Sequence, residues 1–129
     1  MKKMVLLILS LMILLFPTGC TTYSSSYKAI GFVHSNTSDH AEMSFYSFEG
    51  KMVFRLKSAG EGDLKFKANL ESGSATVYYD YNGIKSELFS IGSGEELDAH
   101  GGYVESGTVY IIVETDGKCM NGDFSFSLD

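Results

Sequence analysis

The chain is poor in tryptophan, in basic residues and in long hydrophobic runs. It has no tryptophan, which removes the largest ring that sugar-binding surfaces use. Ten Lys and Arg residues stand against sixteen Asp and Glu residues. Nucleic-acid binding needs Lys and Arg clusters, so this balance argues against it. The main apolar run, Met4 to Phe16, has 13 residues, whereas a membrane-spanning helix needs about 20. The sequence therefore argues against a permanent membrane-spanning helix.

The first twenty residues have the pattern of an export signal. Lys2 and Lys3 come before the apolar run, and Gly19 stands directly before Cys20. This resembles a bacterial lipoprotein signal, in which a small residue precedes a cysteine that is acylated and becomes the new N terminus. The resemblance implies a signal helix over residues 1–19, lipidation of Cys20, and a location on the bacterial cell membrane facing outside the cytoplasm.

Two alternatives to the lipoprotein signal exist, secretion with release and an uncleaved anchor. Release favours a small-x-small cleavage site such as Ala-x-Ala, and none stands out. Without residues 1–19 the chain has 8 basic and 16 acidic residues, a net charge of −8. Such a chain is poorly suited to bind a membrane through a basic patch. Membrane attachment is therefore expected to come from N-terminal acyl chains, and stable anchoring takes two signals.

Cleavage before Cys20 leaves 110 residues, which is the size of one domain. Residues 20–26 are the lipidated cysteine and a polar stretch, which predicts a flexible tether. Residues 27–129 then form the domain. Cys119 would be the only remaining thiol, without an intramolecular partner. It is predicted to lie in a turn at residues 116–122 and to be incidental, rather than a nucleophile or a point of dimerisation.

The domain alternates apolar and polar residues with the period of a β-strand. The alternation is clear at 64–70 and 123–128, and it gives each strand one apolar face and one polar face that is exposed to solvent. Val109 to Val113 is continuously apolar, which is typical of a central strand covered on both faces. Weaker strands are expected at 29–34 and 95–104. The pattern predicts eight or nine strands in an all-β fold, a single antiparallel β-sandwich that is jelly-roll-like.

Turn residues predict two hairpins. Asn82-Gly83 separates two apolar runs, and both central residues of a type I′ turn need positive φ, which Asn and Gly tolerate. Glu49-Gly50 is expected to make the same kind of turn between the runs at 43–48 and 51–57.

Three segments carry a resemblance to a known family. They are Gly107 to Val113 as a penultimate strand, Gly122 to Phe126 as a closing strand, and Ser74 to Tyr79 as an earlier strand. Together they make residues 51–128 similar to the pre-peptidase C-terminal modules of secreted bacterial peptidases, and more generally to carbohydrate-binding β-sandwiches. The resemblance implies the topology of such a sandwich.

Residues suited to catalysis or to metal binding are few. His40 and Glu42 could share a metal, but zinc sites need three or four ligands, and the histidines are expected in exposed loops. No serine lies in a Gly-x-Ser-x-Gly turn. The acidic residues at 61–63 and 95–98 lack the spacing of a calcium loop. They are predicted to lie in turns and to be exposed to solvent. The sequence therefore predicts no catalytic residue, metal site or cofactor, and a protein that is not an enzyme.

Tyrosines provide the candidate binding surface. Alternation directs Tyr79 and Tyr81 inward and leaves Tyr78 beside Asp80 on an outer face. An exposed tyrosine next to a carboxylate suits contact with a sugar or a protein. Tyr103 is assigned to the same kind of surface. The alternative is that these are amphipathic residues of the kind found on any β-sheet.

Two functional hypotheses follow. The first is a lipid-anchored, extracytoplasmic, non-catalytic module that binds a glycan or a protein of the cell envelope or its surroundings. The second is a passive structural or accessory subunit of an envelope complex with no small ligand. An enzyme with an unrecognised site ranks third, and a nucleic-acid partner is not expected.

Overall fold

The computed structural model describes residues 23–128, so the predicted signal peptide and Cys20 lie outside it. These residues form nine strands: β1 (Ser26–Ile30), β2 (Val33–Asn36), β3 (His40–Ser58), β4 (Gly62–Ser72), β5 (Ala75–Tyr81), β6 (Ile84–Ile91), β7 (Glu95–Val104), β8 (Gly107–Thr115) and β9 (Cys119–Leu128). Within this part of the chain, no helix is long and apolar enough to cross a membrane.

The strands pair in the order β6-β5-β8-β3-β9-β4-β7, and every pair is antiparallel. β3 pairs with β9 through residues 40–48 and with β8 through residues 51–58. We call β2, the first half of β3, β9, β4 and β7 sheet I, and the second half of β3, β8, β5 and β6 sheet II. β1 pairs with β3 at residues 47–51, between the two sheets. The predicted all-β sandwich is confirmed.

The apolar faces of the two sheets meet in one core. Phe66 of β4 stacks on Phe89 of β6 with ring centroids 4.6 Å apart, and Phe89 also lies 6.3 Å from Phe126 of β9. The apolar residues predicted by alternation at 64–70 are all buried. Each buried Leu or Phe side chain contributes about 1.5–3 kcal/mol to folding, so this interior is what stabilises a domain without a disulfide.

β3 is one continuous strand, and the hairpin predicted at Glu49-Gly50 is wrong. Phe45 points into the core before this position and Phe54 after it, so the buried positions change from odd to even as the strand passes from sheet I to sheet II. Gly50 has a φ of +133°, and a Cβ there would lie 2.3 Å from the carbonyl oxygen of Ser26. The glycine therefore serves the bend and the close approach of β1.

The other predicted turn is confirmed. Asn82 and Gly83 have φ values of +58° and +78°, as a type I′ hairpin between β5 and β6 requires. The strand predicted at 29–34 is divided in two, because the chain turns at Gly31, where φ is +61°.

The predicted central strand, β8, is paired along both edges and buried on its inner face, whereas on its outer face Ile112 is buried, Tyr110 and Glu114 are half-buried and Thr108 is exposed. Its inward residues Val109, Ile111 and Val113 are 0% exposed, and so is Ile112 on the outer face of sheet II. β8 lies between β3 and β5, so Ile112 has a residue on each side, Val53 and Tyr78.

Cys119 lies in a strand rather than in the predicted turn. It is the first residue of β9 and is 0% exposed. Its Sγ donates to the carbonyl oxygen of Ser74 at 3.3 Å. Burial raises the pKa of this thiol, and the carboxylate of Asp116 raises it further, against the lowering effect of the hydrogen bond. A buried protonated thiol is a poor nucleophile.

The predicted tether of residues 20–26 is partly built into the domain. Tyr23 donates a hydrogen bond to Asp80, and the amide of Val53 donates to Ser25 Oγ at 2.8 Å. Ser26 is already the first residue of β1. The ordered domain therefore includes residues that the polar composition alone assigned to a flexible link.

Candidate functional site

Polar side chains cover the outer face of sheet I. Residues opposite each other on neighbouring strands point to the same face, so the strand registers arrange these side chains in rows. Three rows run from β3 across β9 and β4 to β7: His40, Ser127, Lys65 and His100; Glu42, Ser125, Lys67 and Asp98; Ser44, Asp123, Asn69 and Glu96.

Three adjoining depressions lie along these rows, and we call them together the polar groove. The central one has a volume of about 610 Å³, and its neighbours have about 560 and 480 Å³. The central depression shares Asn69 and Asp123 with one neighbour and Lys67 and Ser125 with the other. The groove is therefore continuous across the sheet rather than a set of separate pits.

The polar groove is acidic. Its lining includes two lysines, Lys65 and Lys67, and six acidic residues: Glu42, Glu71, Glu95, Glu96, Asp98 and Asp123. Lys67 Nζ lies 3.9 Å from Asp98 Oδ2, and both side chains are well exposed. An exposed pair of this kind contributes little to stability, so its charges stay accessible to a ligand.

One end of the polar groove has an aromatic side chain. Tyr46 of β3 is 55% exposed and lines the same depression as Asn121 and Glu71. Asn121 Nδ2 donates to Glu71 Oε2 at 2.8 Å, which fixes the amide so that its orientation is defined. A large exposed ring next to fixed polar groups is the arrangement that orients ligands in binding sites.

The predicted residues Tyr78 and Asp80 lie on sheet II, on the opposite side of the domain. Tyr78 is half-buried, and Lys85 Nζ lies 4.4 Å from the centre of its ring. Asp80 is only 7% exposed and accepts a hydrogen bond from Tyr23. The prediction that Asp80 is exposed beside Tyr78 is therefore wrong, because Tyr23 of the N-terminal segment covers Asp80. The binding role of these residues stays a prediction.

Tyr103 is exposed, but the structure does not bring it to Tyr78. It lies in β7 of sheet I, opposite Asp63 of β4, and is 55% exposed. Desolvation raises the pKa of Tyr103, and the neighbouring Glu61 raises it further. The two tyrosines belong to different sheets and do not form one surface.

The three histidines lie in strands, not in the predicted loops. His34 is in β2, His40 in β3 and His100 in β7. His40 Nε2 is 3.5 Å from Glu42 Oε2, which makes a pair and not a metal site. Among residues 23–128, no three His, Cys, Asp or Glu side chains converge in a way that could hold a metal ion.

The sequence pattern contains the residues of the polar groove but does not by itself predict that they lie together. Alternation predicts that Lys65, Lys67 and Asn69 lie on the solvent-facing side of one strand, whereas Glu96 and Asp98 are predicted to lie in a solvated turn. The structure places all five on neighbouring strands of the same face. β4 pairs with β9 on one edge and with β7 on the other, and this pairing brings the solvent-facing residues of the three strands together in one site.

No protein-family model and no curated protein matches the chain. Several solved structures have a similar fold. The carbohydrate-binding module TmCBM61, in complex with β-1,4-galactotriose, is 18% identical, with a TM-score of 0.52 and coverage of 88% of this chain and 92% of that one. The pre-peptidase C-terminal domain of a Bacillus anthracis collagenase is 13% identical, with a TM-score of 0.44 and coverage of 82% and 88%. A family 29 carbohydrate-binding module is 12% identical, with a TM-score of 0.39 and coverage of 81% and 89%.

TmCBM61 shares the β-sandwich fold of this chain. The identities are low, so the similarity establishes the fold alone. The domain is a β-sandwich of the architecture found in carbohydrate-binding modules.

Proposed function

We propose that this chain is a non-catalytic glycan-binding module, anchored through lipid on Cys20 and displayed on the outer side of a bacterial membrane. The observation that carries the proposal is the polar groove of sheet I. It offers several hydrogen-bonding side chains and an exposed ring along one continuous, open surface.

The chemistry of the polar groove matches that of a sugar chain. Sugar hydroxyls both donate and accept hydrogen bonds, and the groove supplies partners of both kinds. Asp123 accepts, Lys67 donates, and the amide of Asn69 does both. Tyr46 adds apolar area against which a sugar ring can pack. Because these side chains project from strands, no loop has to become ordered on binding, and this favours affinity.

The charge of the polar groove restricts the type of glycan. Six acidic residues and two lysines line it, and placing like charges together across an interface is costly. The groove is therefore better suited to a neutral glycan than to one rich in uronic acids. The fold shared with a module that binds β-1,4-galactotriose makes neutral β-linked galactan the first probe.

Calorimetric titration with galactan, a neutral β-glucan and polygalacturonate tests the binding function. We expect binding to a neutral glycan and none to polygalacturonate. Asp123→Ala should weaken binding about tenfold or more, since a lost hydrogen bond to a charged group costs about 1.5–3 kcal/mol and 1.4 kcal/mol is tenfold. Tyr46→Ala should also weaken binding, because it removes the apolar area on which a sugar ring packs. Tyr78→Ala, on sheet II, is the matched control and should bind normally.

Two results would contradict this assignment. Loss of binding in Tyr78→Ala, with Asp123→Ala unaffected, would move the ligand site to sheet II. Absence of glycan binding, together with an envelope protein that co-purifies in stoichiometric amount, would favour an accessory subunit.

The anchor is tested separately by labelling cells with a radioactive fatty acid. We expect the label on the wild-type chain and its loss in Cys20→Ser. An unlabelled wild-type protein in the culture supernatant would refute the anchor and leave the glycan-binding result unchanged.

A further inference from the structure

The chain enters the domain across the outer face of sheet II. Tyr23 donates a hydrogen bond to Asp80 of β5, and its ring centroid lies 5.2 Å from that of Tyr110 of β8. Ser25 then bonds to the amide of Val53 at the edge of β3. Tyr23 is thus fixed over the middle of this face, opposite the side that carries the polar groove.

Very little chain separates this fixed point from the proposed anchor. Two residues stand between Cys20 and Tyr23, and three residue steps span at most about 11 Å even when fully extended. A lipid attached to Cys20 therefore holds sheet II, and not sheet I, close to the bilayer surface.

The charge of the same face supports its contact with a bilayer. Four of the eight basic residues that follow the predicted signal lie on the outer face of sheet II: Lys51, Arg55, Lys57 and Lys85. Three acidic residues, Asp80, Glu87 and Glu114, share this face, and each has a partner. Asp80 accepts a hydrogen bond from Tyr23, Glu87 accepts one from Ser90 at 3.4 Å, and Glu114 pairs with Lys85 at 3.3 Å. Four basic and three acidic side chains give this face a net charge of +1, although residues 20–129 together carry −8.

We infer that the outer face of sheet II rests on the anionic headgroups of the membrane and that the polar groove faces away from it. This inference depends on the anchor in the proposed function. Short lipid tethering brings the basic side chains within the reach of the surface potential, which attracts Lys and Arg and falls off over about 8 Å at physiological ionic strength. The acidic groove is repelled by the same surface, so both faces favour one orientation.

Two exposed lysines on opposite faces provide an internal comparison. Lys57 lies on sheet II and Lys67 in the polar groove, and both are exposed. The leaderless chain from Cys20 onwards contains all nine strands, and its Cys20 thiol can be coupled to a maleimide lipid in vesicles. Cys119 is buried and does not compete. The orientation is thereby measured whether or not cells acylate Cys20.

The experiment is lysine labelling with an amine-reactive ester, read by mass spectrometry, on vesicles of phosphatidylglycerol and phosphatidylcholine. We expect Lys57 labelling to fall severalfold relative to the chain free in solution, while Lys67 labelling stays unchanged. Arg55→Glu should restore much of the labelling of Lys57, whereas Lys118→Glu, the same charge change in the loop between β8 and β9, should not.

Protection of Lys67 in place of Lys57, or equal labelling of the two, would overturn the inference. Protection of Lys57 that is unaffected by Arg55→Glu and by the removal of phosphatidylglycerol would also overturn it, because the tether alone would then set the orientation. If Cys20 is not acylated in cells but the coupled chain is oriented as described, the proposed lipid anchor is refuted. The inference that the basic face of sheet II contacts anionic headgroups is then still supported.

Discussion

Tyr23 donates a hydrogen bond to Asp80, although 57 positions separate the two residues in the chain. Asp80 is 7% exposed, and a buried carboxylate needs a partner to offset its loss of water. Tyr23 supplies that partner from a segment whose composition predicts a flexible link. Tyr23, which precedes the first strand, therefore contributes to the stability of the domain.

Removing the Tyr23 hydroxyl should destabilise the domain. In Tyr23→Phe the Asp80 carboxylate loses a donor while staying largely buried, and an unsatisfied buried group costs about 1–3 kcal/mol. Urea unfolding followed by tyrosine fluorescence measures the change. Tyr46→Phe, on the exposed face of sheet I, is the control and should unfold like the wild type. Equal stability of all three chains would show that Asp80 does not depend on Tyr23.

The same contact should make stability depend on pH in the alkaline range. The hydrogen bond to Asp80, followed by burial and the charge of Asp80, raises the pKa of Tyr23 from 10.0 to about 12. The folded state holds this proton more tightly than the unfolded state, so the contribution is complete below pH 10 and is lost as the pH rises towards 12.

The measurement is the difference in unfolding free energy between the wild type and Tyr23→Phe at two pH values, about 9 and about 11.5. The difference should shrink at the higher pH because only the wild type loses the bond. The remaining tyrosines titrate in both chains and cancel in this difference. If the difference in unfolding free energy is the same at both pH values, the pH dependence does not come from the Tyr23 hydroxyl.

Gly122 should not tolerate a side chain. A Cβ there would lie 2.5 Å from Phe45 Cζ and 2.9 Å from Leu70 Cδ1, and overpacking a core costs about 1–3 kcal/mol. Gly122→Ala should therefore lower the free energy of unfolding by this amount. Gly101→Ala, in β7 of the same sheet, is the matched control, because nothing lies within 4 Å of a Cβ built there. A Gly122→Ala domain as stable as Gly101→Ala would disprove the tight packing under Phe45.

Gly50→Ala should release β1 from the bend of β3. The added Cβ would meet the carbonyl oxygen of Ser26 and, at 2.7 Å, the Cα of Tyr27, and the φ of +133° is itself unfavourable for alanine. We expect faster amide hydrogen exchange at β1 residues that bond to β3. Gly60→Ala, in open space, should exchange normally. Unchanged protection of β1 in Gly50→Ala would refute the role of this glycine.

Local patterns predicted most of the strands correctly. Period-two alternation located the buried side of β4, and the Asn82-Gly83 pair located the hairpin that follows β5. The Glu49-Gly50 hairpin failed because a positive-φ glycine serves equally well in a turn and in a strand that bends between two sheets. The choice between them depends on partners far away in the chain, here β8 and β9, which no local pattern contains.

The candidate site was harder to predict than the fold. Asp80 was expected to be exposed because alternation places it on an outer face, but alternation says nothing about a segment such as Tyr23 that crosses that face. The polar groove was missed for a related reason. Asp123 and Asn69 lie more than fifty positions apart in sequence, and only the pairing of β9 with β4 makes them neighbours.

β3 belongs to both layers of the sandwich, and it therefore links the unfolding of one layer to that of the other. β3 has 19 residues, and it pairs with β9 through residues 40–48 in one layer and with β8 through residues 51–58 in the other. Both layers depend on β3, and both bury their apolar faces in the same core, so loss of one layer exposes the core face of the other. The two layers should therefore melt together as one cooperative unit, with no half-folded species that keeps one layer and sheds the other.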